Sequence, residues 1–423
     1  MANSFDNCFG IRKFFLIPFL FCKRSLFWGF VKVTLQFVAK ELFMQTIVYL
    51  HKIVYNICMK IGIFGGTFNP PHNSHLQIAL QAKQQLGLDK LLVFPCGDPP
   101  HKTTDVSAAH RLEMTRLAFG PFAQVCDYEI LQQGKSYTYH TLLMLKERFP
   151  ADQLYLIIGG DSYQNFGKWY NPQGICQLAH IVVAQRLGTP MLDEQQFEKQ
   201  FKAQVTYVQV EPTNTSSSLI RLQYQFGKSN ADVVPAAVDQ YVKENNLYSQ
   251  YRTMVDKLQP MLNEKRFNHT FWVVERGLQI APAELKHKAF VACLLHDCAK
   301  HIDLSAHASY GFVQGDMPQS VVHAFLGALV AEKHFGVTDA DVLDAIRYHC
   351  TARPNMTLLE KIVYVADKTE RTRSYPIDHL LIGDVHNMFC LCLQEAYDVC
   401  KQRHASSIHP LTEQAVEFYN LHK

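Results

Sequence analysis

Along the chain, the spacing of apolar positions changes character near residue 248. From Met59 to about Tyr248, short β-branched runs alternate with stretches whose apolar residues recur every three or four positions. The runs Ile61 to Phe64, Leu91 to Phe94, Tyr155 to Ile158, Ile181 to Ala184 and Val205 to Val210 are expected strands. Between the first two, Leu76, Leu80 and Leu86 before Gly87 predict an amphipathic helix with a glycine stop. Strands alternating with helices predict an α/β, Rossmann-like mononucleotide-binding domain with a parallel sheet over 59–248. Beyond Asn245-Asn246-Leu247-Tyr248 the β-branched runs cease and apolar residues keep helical spacing to the C-terminus. An all-α helical bundle is expected over 251–423, with the boundary between 248 and 256.

Residues 1–58 fit neither pattern. They are rich in Phe and Leu but broken by Lys23, Arg24, Lys32, Lys40 and Glu41. A spanning helix needs about 20 mostly apolar residues, so stable membrane insertion is not expected. Phe14 to Cys22, preceded by Arg12 and Lys13, resembles a signal-peptide core but no small-residue cleavage site follows. Met59 directly precedes the first strand, and the expectation is that 1–58 form an extension upstream of a natural start there.

Composition narrows the class of function. Lys and Arg total 41 against 38 acidic residues, with 20 histidines besides, so a nucleic-acid partner is not expected and small anionic nucleotides fit better. The 12 cysteines show no disulfide framework and read as reduced thiols of a cytoplasmic protein. Homo-oligomer formation is left open.

Candidate chemistry begins after the first strand. In a sheet of this kind ligands bind beyond the carboxyl ends of the strands, and the loop there reads Gly65-Gly66-Thr67-Phe68-Asn69-Pro70-Pro71-His72-Asn73-Ser74-His75 before the helix. Paired glycines admit close backbone approach, a helix N-terminus offers free N–H groups to phosphate, and His72 and His75 add donors. At these residues the chain resembles the HxGH nucleotidyltransferase superfamily, and more narrowly the bacterial nicotinate-nucleotide adenylyltransferases. The resemblance continues through Pro99-Pro100-His101-Lys102, Gly134-Lys135-Ser136-Tyr137-Thr138, Ile158-Gly159-Gly160-Asp161, Lys168-Trp169-Tyr170 and Ser216-Ser217-Ser218-Leu219-Ile220-Arg221. Ser74 stands where the signature has Gly, facing the expected triphosphate.

That resemblance implies adenylyl transfer from ATP, with its Mg²⁺, to nicotinate mononucleotide, giving deamido-NAD and pyrophosphate. His72, His75 and Arg221 are the implied catalytic residues, with Ser217 and Ser218 holding outgoing phosphates. Gly65, Gly66, Thr67, Phe68 and Lys102 are implied in substrate binding. Trp169 is implied to stack on the pyridine ring, backbone around Tyr137 and Thr138 to contact its carboxylate, and Asp161 to serve the adenosine end. Read without the family, Trp169 is as well a core residue, Asp161 a turn residue, and Ser217 and Ser218 a helix cap.

In the second half, His269, His296 with Asp297, His323, His349 and Asp367 each sit in a helical context. Four imidazoles and two carboxylates suffice for two divalent metals, Fe foremost, with Mn or Zn as alternatives. A binuclear site of this kind hydrolyses phosphoesters and phosphoanhydrides. The strings Lys265-Arg266-Phe267-Asn268-His269-Thr270, Leu294-Leu295-His296-Asp297-Cys298-Ala299-Lys300, Ala345-Ile346-Arg347-Tyr348-His349 and Leu359-Glu360-Lys361-Ile362-Val363-Tyr364-Val365-Ala366-Asp367 resemble the HD superfamily, specifically the YqeK-type symmetrical diadenosine tetraphosphatases. The resemblance implies hydrolysis of diadenosine tetraphosphate to two ADP. It implies that Asp297 bridges two metals, that His269, His296 and Asp367 complete one, and that His323 and His349 complete the other. Cys350 replaces a frequent Thr beside His349, and Arg347, Arg353 and Lys361 are candidate phosphate contacts. Two alternatives stand beside this reading: the HD half hydrolyses another nucleotide, or one half is a non-catalytic nucleotide sensor.

Overall fold

A computed structural model describes residues 58–100, 104–186, 194–211, 215–404 and 408–421. Residues 1–57, with the expected extension, and Lys102 lie outside the described residues. The chain divides into two compact units: one runs to Arg221 and includes Ser229–Tyr248, the other takes in Leu222–Lys228 and everything from Ser249. Among the described residues no helix is long and apolar enough to cross a membrane.

The first unit is an α/β sandwich. In chain order it contains β1 (Lys60–Gly66), α1 (Asn73–Leu86), β2 (Lys90–Pro95), α2 (Ala108–Phe119), β3 (Gln124–Val125), α3 (Thr138–Arg148), β4 (Gln153–Gly159) and α4 (Gly160–Gln164). There follow α5 (Pro172–Leu178), β5 (His180–Arg186), α6 (Glu194–Phe201), β6 (Val205–Val210), α7 (Ser217–Gln225), through which the division between units passes, and α8 (Ala236–Glu244). The sheet order is β3-β2-β1-β4-β5-β6, and every pairing is parallel. All five expected strands are present, and the sixth, β3, is two residues long. Because the chain winds outward in both directions from β1 and β4, the topological switch point lies between those two strands. Their carboxyl ends carry Gly65-Gly66 and Gly159-Gly160, so two of the glycine-bearing motifs face one crevice. Strands buried on both faces explain the unbroken apolar runs: Ile61, Ile63, Leu92, Leu156, Ile158, Ile181 and Val183 join one core cluster beneath α3 and α5.

The second unit is all helical: α9 (Arg252–Leu258), α10 (Glu264–Ile280), α11 (Lys286–Leu295), α12 (Gln319–Lys333), α13 (Ala340–Tyr348), α14 (Leu358–Thr369), α15 (Val385–His404) and α16 (Pro410–Phe418). Ala289 through Leu295 of α11 are buried without interruption, so this helix is apolar all round and packs against α10, α13 and α14. It ends directly at His296-Asp297, delivering that pair into the bundle interior.

Helix α14 begins with a reciprocal cap, in which the Glu360 N–H donates to Thr357 Oγ1 at 3.3 Å and the Thr357 N–H donates to Glu360 Oε2 at 2.7 Å. The cap fixes the start of the helix that carries Asp367. We expect Thr357→Ala to destabilise the second unit by roughly 0.5–2 kcal/mol, read as a lowered urea midpoint for that unit; an unchanged midpoint would show that the cap contributes nothing.

Candidate active sites

In the first unit the loop after β1 is shaped by packing. Gly66 is required on steric grounds, since a Cβ there would meet the Phe68 ring at 2.8 Å. Phe68 itself lies in the left-handed region at φ 47 and is buried against Phe64, Phe119 and His75. Buried Arg111 fastens the loop from below, donating to the carbonyl oxygens of Thr67 at 3.0 Å, of Gly97 at 2.6 Å and of Cys96. It thereby ties the ends of β1 and β2 together. Sequence reasoning missed this residue, because an arginine on an amphipathic helix looks like a solvated charge.

His72 caps α1 and is buried, with Nδ1 lacking any hydrogen-bond partner. Its backbone N–H donates to His75 Nδ1 at 3.2 Å, and the two rings lie 3.8 Å apart between centroids. That bond uses the lone pair of His75 Nδ1, so Nε2 carries the proton and can donate. Burial pushes the His72 imidazole down to about 4, so it is neutral at physiological pH. Ser74 sits in the first turn of α1 without a left-handed φ, so the backbone accepts serine where the signature has glycine.

Around this loop, Arg221 donates to the Asn69 carbonyl at 2.9 Å and to Ser218 Oγ at 3.3 Å, and pairs with Asp105 at 2.6 Å. Ser217 Oγ donates to the Pro70 carbonyl at 3.0 Å, and the Tyr248 hydroxyl donates to Asn69 Oδ1 at 2.7 Å. Thus the start of α7 is stitched to the β1 loop. Tyr137 and Thr138 form the N-terminus of α3, where Ser136 Oγ accepts from the Gly97 N–H at 3.0 Å. Tyr137, Tyr139 and His140 gather around exposed Tyr170, with the Tyr137–Tyr170 centroids 4.9 Å apart. Trp169 packs on Phe166 at 5.3 Å, half-buried against the main core. Asp161 is exposed in α4, beside Gly159 and Gly160, where a Cβ would meet nothing within 4 Å.

In the second unit the structure brings His269, His296, Asp297, His323, His349 and Asp367 together, all buried. Asp297 lies at the centre. Its Oδ2 is 3.3 Å from His296 Nε2 and 3.8 Å from His269 Nε2, while Oδ1 is 3.1 Å from His323 Nε2 and 3.8 Å from His349 Nε2. Asp367 Oδ1 is 3.2 Å from His269 Nε2 and 3.9 Å from His296 Nε2. The donors therefore fall into two groups, one on each oxygen of Asp297.

The far nitrogens fix the tautomers. His296 Nδ1–H donates to the Cys293 carbonyl and His349 Nδ1–H to that of Ile346, each at 2.7 Å, leaving both Nε2 lone pairs directed at the site. His269 Nδ1 meets buried Glu370 Oε1 at 3.2 Å. Sequence reasoning missed Glu370; its only signal is its place one turn beyond Asp367. A histidine oriented by a carboxylate is the usual arrangement behind a metal.

Charge in the site is compensated. Burial by itself would raise the Asp297 carboxyl, but His296, His323 and His349 outweigh it and hold the group well below the usual carboxylate range. Asp367 is likewise held low against burial by Lys368, His269 and Arg373. Arg266 pairs with Asp297 Oδ2 at 2.7 Å, and Lys300 Nζ lies 3.1 Å from His323 Nε2 beside a cavity of about 190 Å³. Arg353 is engaged with Glu360 at 2.6 Å and Asp344 at 3.2 Å, and Arg347 with Asp344, so these two expected phosphate contacts already serve ion pairs within the fold. Lys361 lies over the Tyr419 ring.

The comparisons fall on two segments of the chain. A family described as cytidylyltransferase-like matches residues 63–223, and the HD domain family matches residues 266–372. A nicotinate-nucleotide adenylyltransferase of Bacillus subtilis is 36% identical over 193 residues, 45% of this chain and 98% of its own length. A Mycoplasma pneumoniae protein named "Probable nicotinate-nucleotide adenylyltransferase/Ap4A hydrolase" is 31% identical over 319 residues, 74% of this chain and 88% of its own. A crystal structure of an HD superfamily hydrolase involved in NAD metabolism from Clostridium acetobutylicum is 30% identical, covering 41% of this chain and 98% of that one, with a TM-score of 0.36.

Two outcomes follow from these geometries. His72 stays neutral in the folded state down to about 4, whereas the unfolded chain takes up a proton near 6.5, so its contribution to stability is present above 6.5 and lost as pH falls to 4. His72→Gln should flatten the pH dependence of the first unit's unfolding free energy across that window, by on the order of a few kcal/mol; urea titrations at several pH values would expose an unchanged slope. Glu370→Ala should weaken divalent-metal binding to the second unit by about 10–100-fold, and calorimetric titration with Zn²⁺ giving wild-type affinity would remove Glu370 from the site.

Proposed function

The chain belongs to the family of nicotinate-nucleotide adenylyltransferases joined to an HD-type Ap4A hydrolase, and from that premise we propose that it carries out both reactions. The first unit adenylates nicotinate mononucleotide. The phosphate oxygen of that substrate attacks the α-phosphorus of ATP, the bond to the β-phosphate oxygen breaks, and pyrophosphate leaves with deamido-NAD as the other product. The reading is carried by the convergence of His72 and His75 with the glycine-bearing ends of β1 and β4 at the switch point of the sheet.

No nucleophilic side chain is required for this transfer. Two anions must be aligned and their charge met by fixed donors, which is how most of the acceleration arises. His75 Nε2–H and the N-terminus of α1 serve the triphosphate, with backbone at Gly65, Gly66, Thr67 and Phe68 approaching it closely. Lys102 adds a cation for the phosphates, a role the family resemblance implies. Arg221, with Ser217 and Ser218, holds the outgoing pyrophosphate after exchanging its exposed Asp105 partner, an exchange that costs little because such surface pairs are worth about 0–1 kcal/mol. Free N–H groups at Tyr137 and Thr138 favour a nicotinate carboxylate over the neutral amide, Trp169 stacks on the pyridine ring, and Asp161 serves the adenosine end. Mg²⁺ accompanies ATP.

The second unit hydrolyses diadenosine tetraphosphate to two ADP at a divalent-metal centre. The observation that supports this is the division of donors across the two oxygens of Asp297: His269, His296 and Asp367 fit one metal, His323 and His349 the other. Imidazole and carboxylate donors with fixed tautomers suit Fe, with Mn and Zn as alternatives. When bound, such ions supply Lewis acidity for phosphoanhydride hydrolysis. Arg266 and Lys300 offer positive charge to the polyphosphate chain. Nucleotide substrates and the free thiols of the described cysteines support a cytoplasmic setting, with small-molecule nucleotides as the partners.

The test is pyrophosphate release from ATP with nicotinate mononucleotide, nicotinamide mononucleotide and pantetheine phosphate in parallel, and ADP release from diadenosine tetraphosphate. Nicotinate mononucleotide should be preferred at least tenfold. Asp297→Asn should abolish ADP release and leave adenylyl transfer at the wild-type rate. Turnover with none of the three acceptors would overturn the first assignment, and ADP release surviving Asp297→Asn the second.

A further inference from the structure

The two donor groups of the second unit are chemically unequal, because the group on Asp297 Oδ1 contains a sulfur. Cys350 Sγ lies 3.3 Å from His323 Nε2 and 3.3 Å from His349 Nε2. His323, His349 and Cys350 each present one ligand atom, and these atoms lie within 4.8 Å of one another. Among the described residues, the group on the other oxygen of Asp297 contains no sulfur: His269 and His296 are joined there by Asp297 and Asp367. We propose that the Cys350 thiolate is a protein ligand of the second metal, making that site His323, His349, Cys350 and Asp297. The inference rests on the binuclear reading above.

Spacing decides between a ligand and a bystander. Zn–S bonds of about 2.3 Å and Zn–N bonds of about 2.0–2.1 Å around a tetrahedron place sulfur and nitrogen roughly 3.5 Å apart. Both Cys350 distances lie close to that separation, and so do those from Asp297 Oδ1 to the same two imidazoles, at 3.1 and 3.8 Å. Two sequence neighbours can address one point here because α13 ends at Tyr348 and the chain turns away through Ala352, at φ 58. His349 points its Nε2 inward through its Nδ1 bond to Ile346, and Cys350 reaches the same point from the turn. The thiol proton leaves to solvent as the sulfur–metal bond forms, so loading of this site is coupled to proton release.

The consequence is a division of metal preference. Two imidazoles, a thiolate and one carboxylate oxygen suit Zn²⁺, Fe²⁺ or Co²⁺ and disfavour Mg²⁺ and Mn²⁺. The partner site, with two imidazoles and two carboxylates, is harder and accepts Mn²⁺. Limiting Zn²⁺ added in the presence of Mn²⁺ should therefore fill the thiolate site first.

X-ray absorption at the zinc edge of the full-length protein loaded with two Zn²⁺ should show one sulfur per two zinc ions at about 2.3 Å. Cobalt loading should give a near-ultraviolet sulfur-to-cobalt charge-transfer band that is lost in Cys350→Ser. In that variant Zn²⁺ binding at one of two sites should weaken by about tenfold or more. Peptide mapping after iodoacetamide treatment should show Cys350 protected in the metal-loaded wild type, a readout needing no variant. Two bound metals with no sulfur, a sulfur that persists in Cys350→Ser, or a Cys350 alkylated equally with and without metal would each overturn the inference and leave the binuclear site standing. Failure of the wild-type protein to bind two metals would instead overturn the binuclear reading itself, and the inference with it.

Discussion

In both units a helix terminus decides which nitrogen of a histidine carries the proton, and the chemistry of each site depends on that choice. The first residues of a helix have N–H groups without partners, and the last have such carbonyls. His75 stands in the first turn of α1, where the His72 N–H occupies its Nδ1, so Nε2 must be protonated and can donate to an anion. His296 and His349 stand at the ends of α11 and α13, where the carbonyls of Cys293 and Ile346 take their Nδ1 protons. In the neutral ring their Nε2 atoms then carry lone pairs and can bind a cation. One residue type can thus present a donor to an anion at an N-terminus and a lone pair to a metal at a C-terminus, with no side-chain partner needed to set either state.

The same constraint separates what the sequence reveals from what it hides. Strands buried on both faces leave continuous apolar runs, so β1, β2, β4 and β5 are visible; β6, at the sheet edge and partly exposed, is visible by its β-branched content, whereas the two residues of β3 are too few for any period. Candidate donors such as His296-Asp297 are visible because adjacent polar residues at the end of a wholly apolar helix conflict with simple burial. Their supports are not visible. Arg111 and Glu370 look like surface charges and are almost fully buried, because what they hold, the carbonyls after β1 and β2 and the Nδ1 of His269, comes from segments remote in sequence. Arg347 and Arg353 show the converse, cations near a candidate site that are already paired: Arg347 with Asp344 one turn back on α13, and Arg353 with Glu360 of α14, a pairing that emerges only on folding. Cys350 was notable beside His349, but its approach to His323 depends on how α12 meets the turn after α13.

Charge explains why the two sites are built differently. A triphosphate brings its own negative charge, so the loop after β1 can meet it with neutral donors, and His72, held neutral by burial, costs no charged-group desolvation when nothing is bound. As an anion approaches, protonation of such an imidazole becomes progressively easier, since a nearby opposite charge favours the charged form. Metal chemistry needs the reverse. Anionic Asp297 and Asp367 must remain ionised inside the bundle, which is costly unless cations or polarised donors surround them. The ring of Arg266, Lys368 and Arg373 supplies that compensation, and through Lys300 the same positive field extends to the cavity beside His323. The charges that keep these carboxylates ionised also make the cavity beside His323 favourable to an anion, so ligand stability and attraction of an anionic ligand are there one electrostatic arrangement.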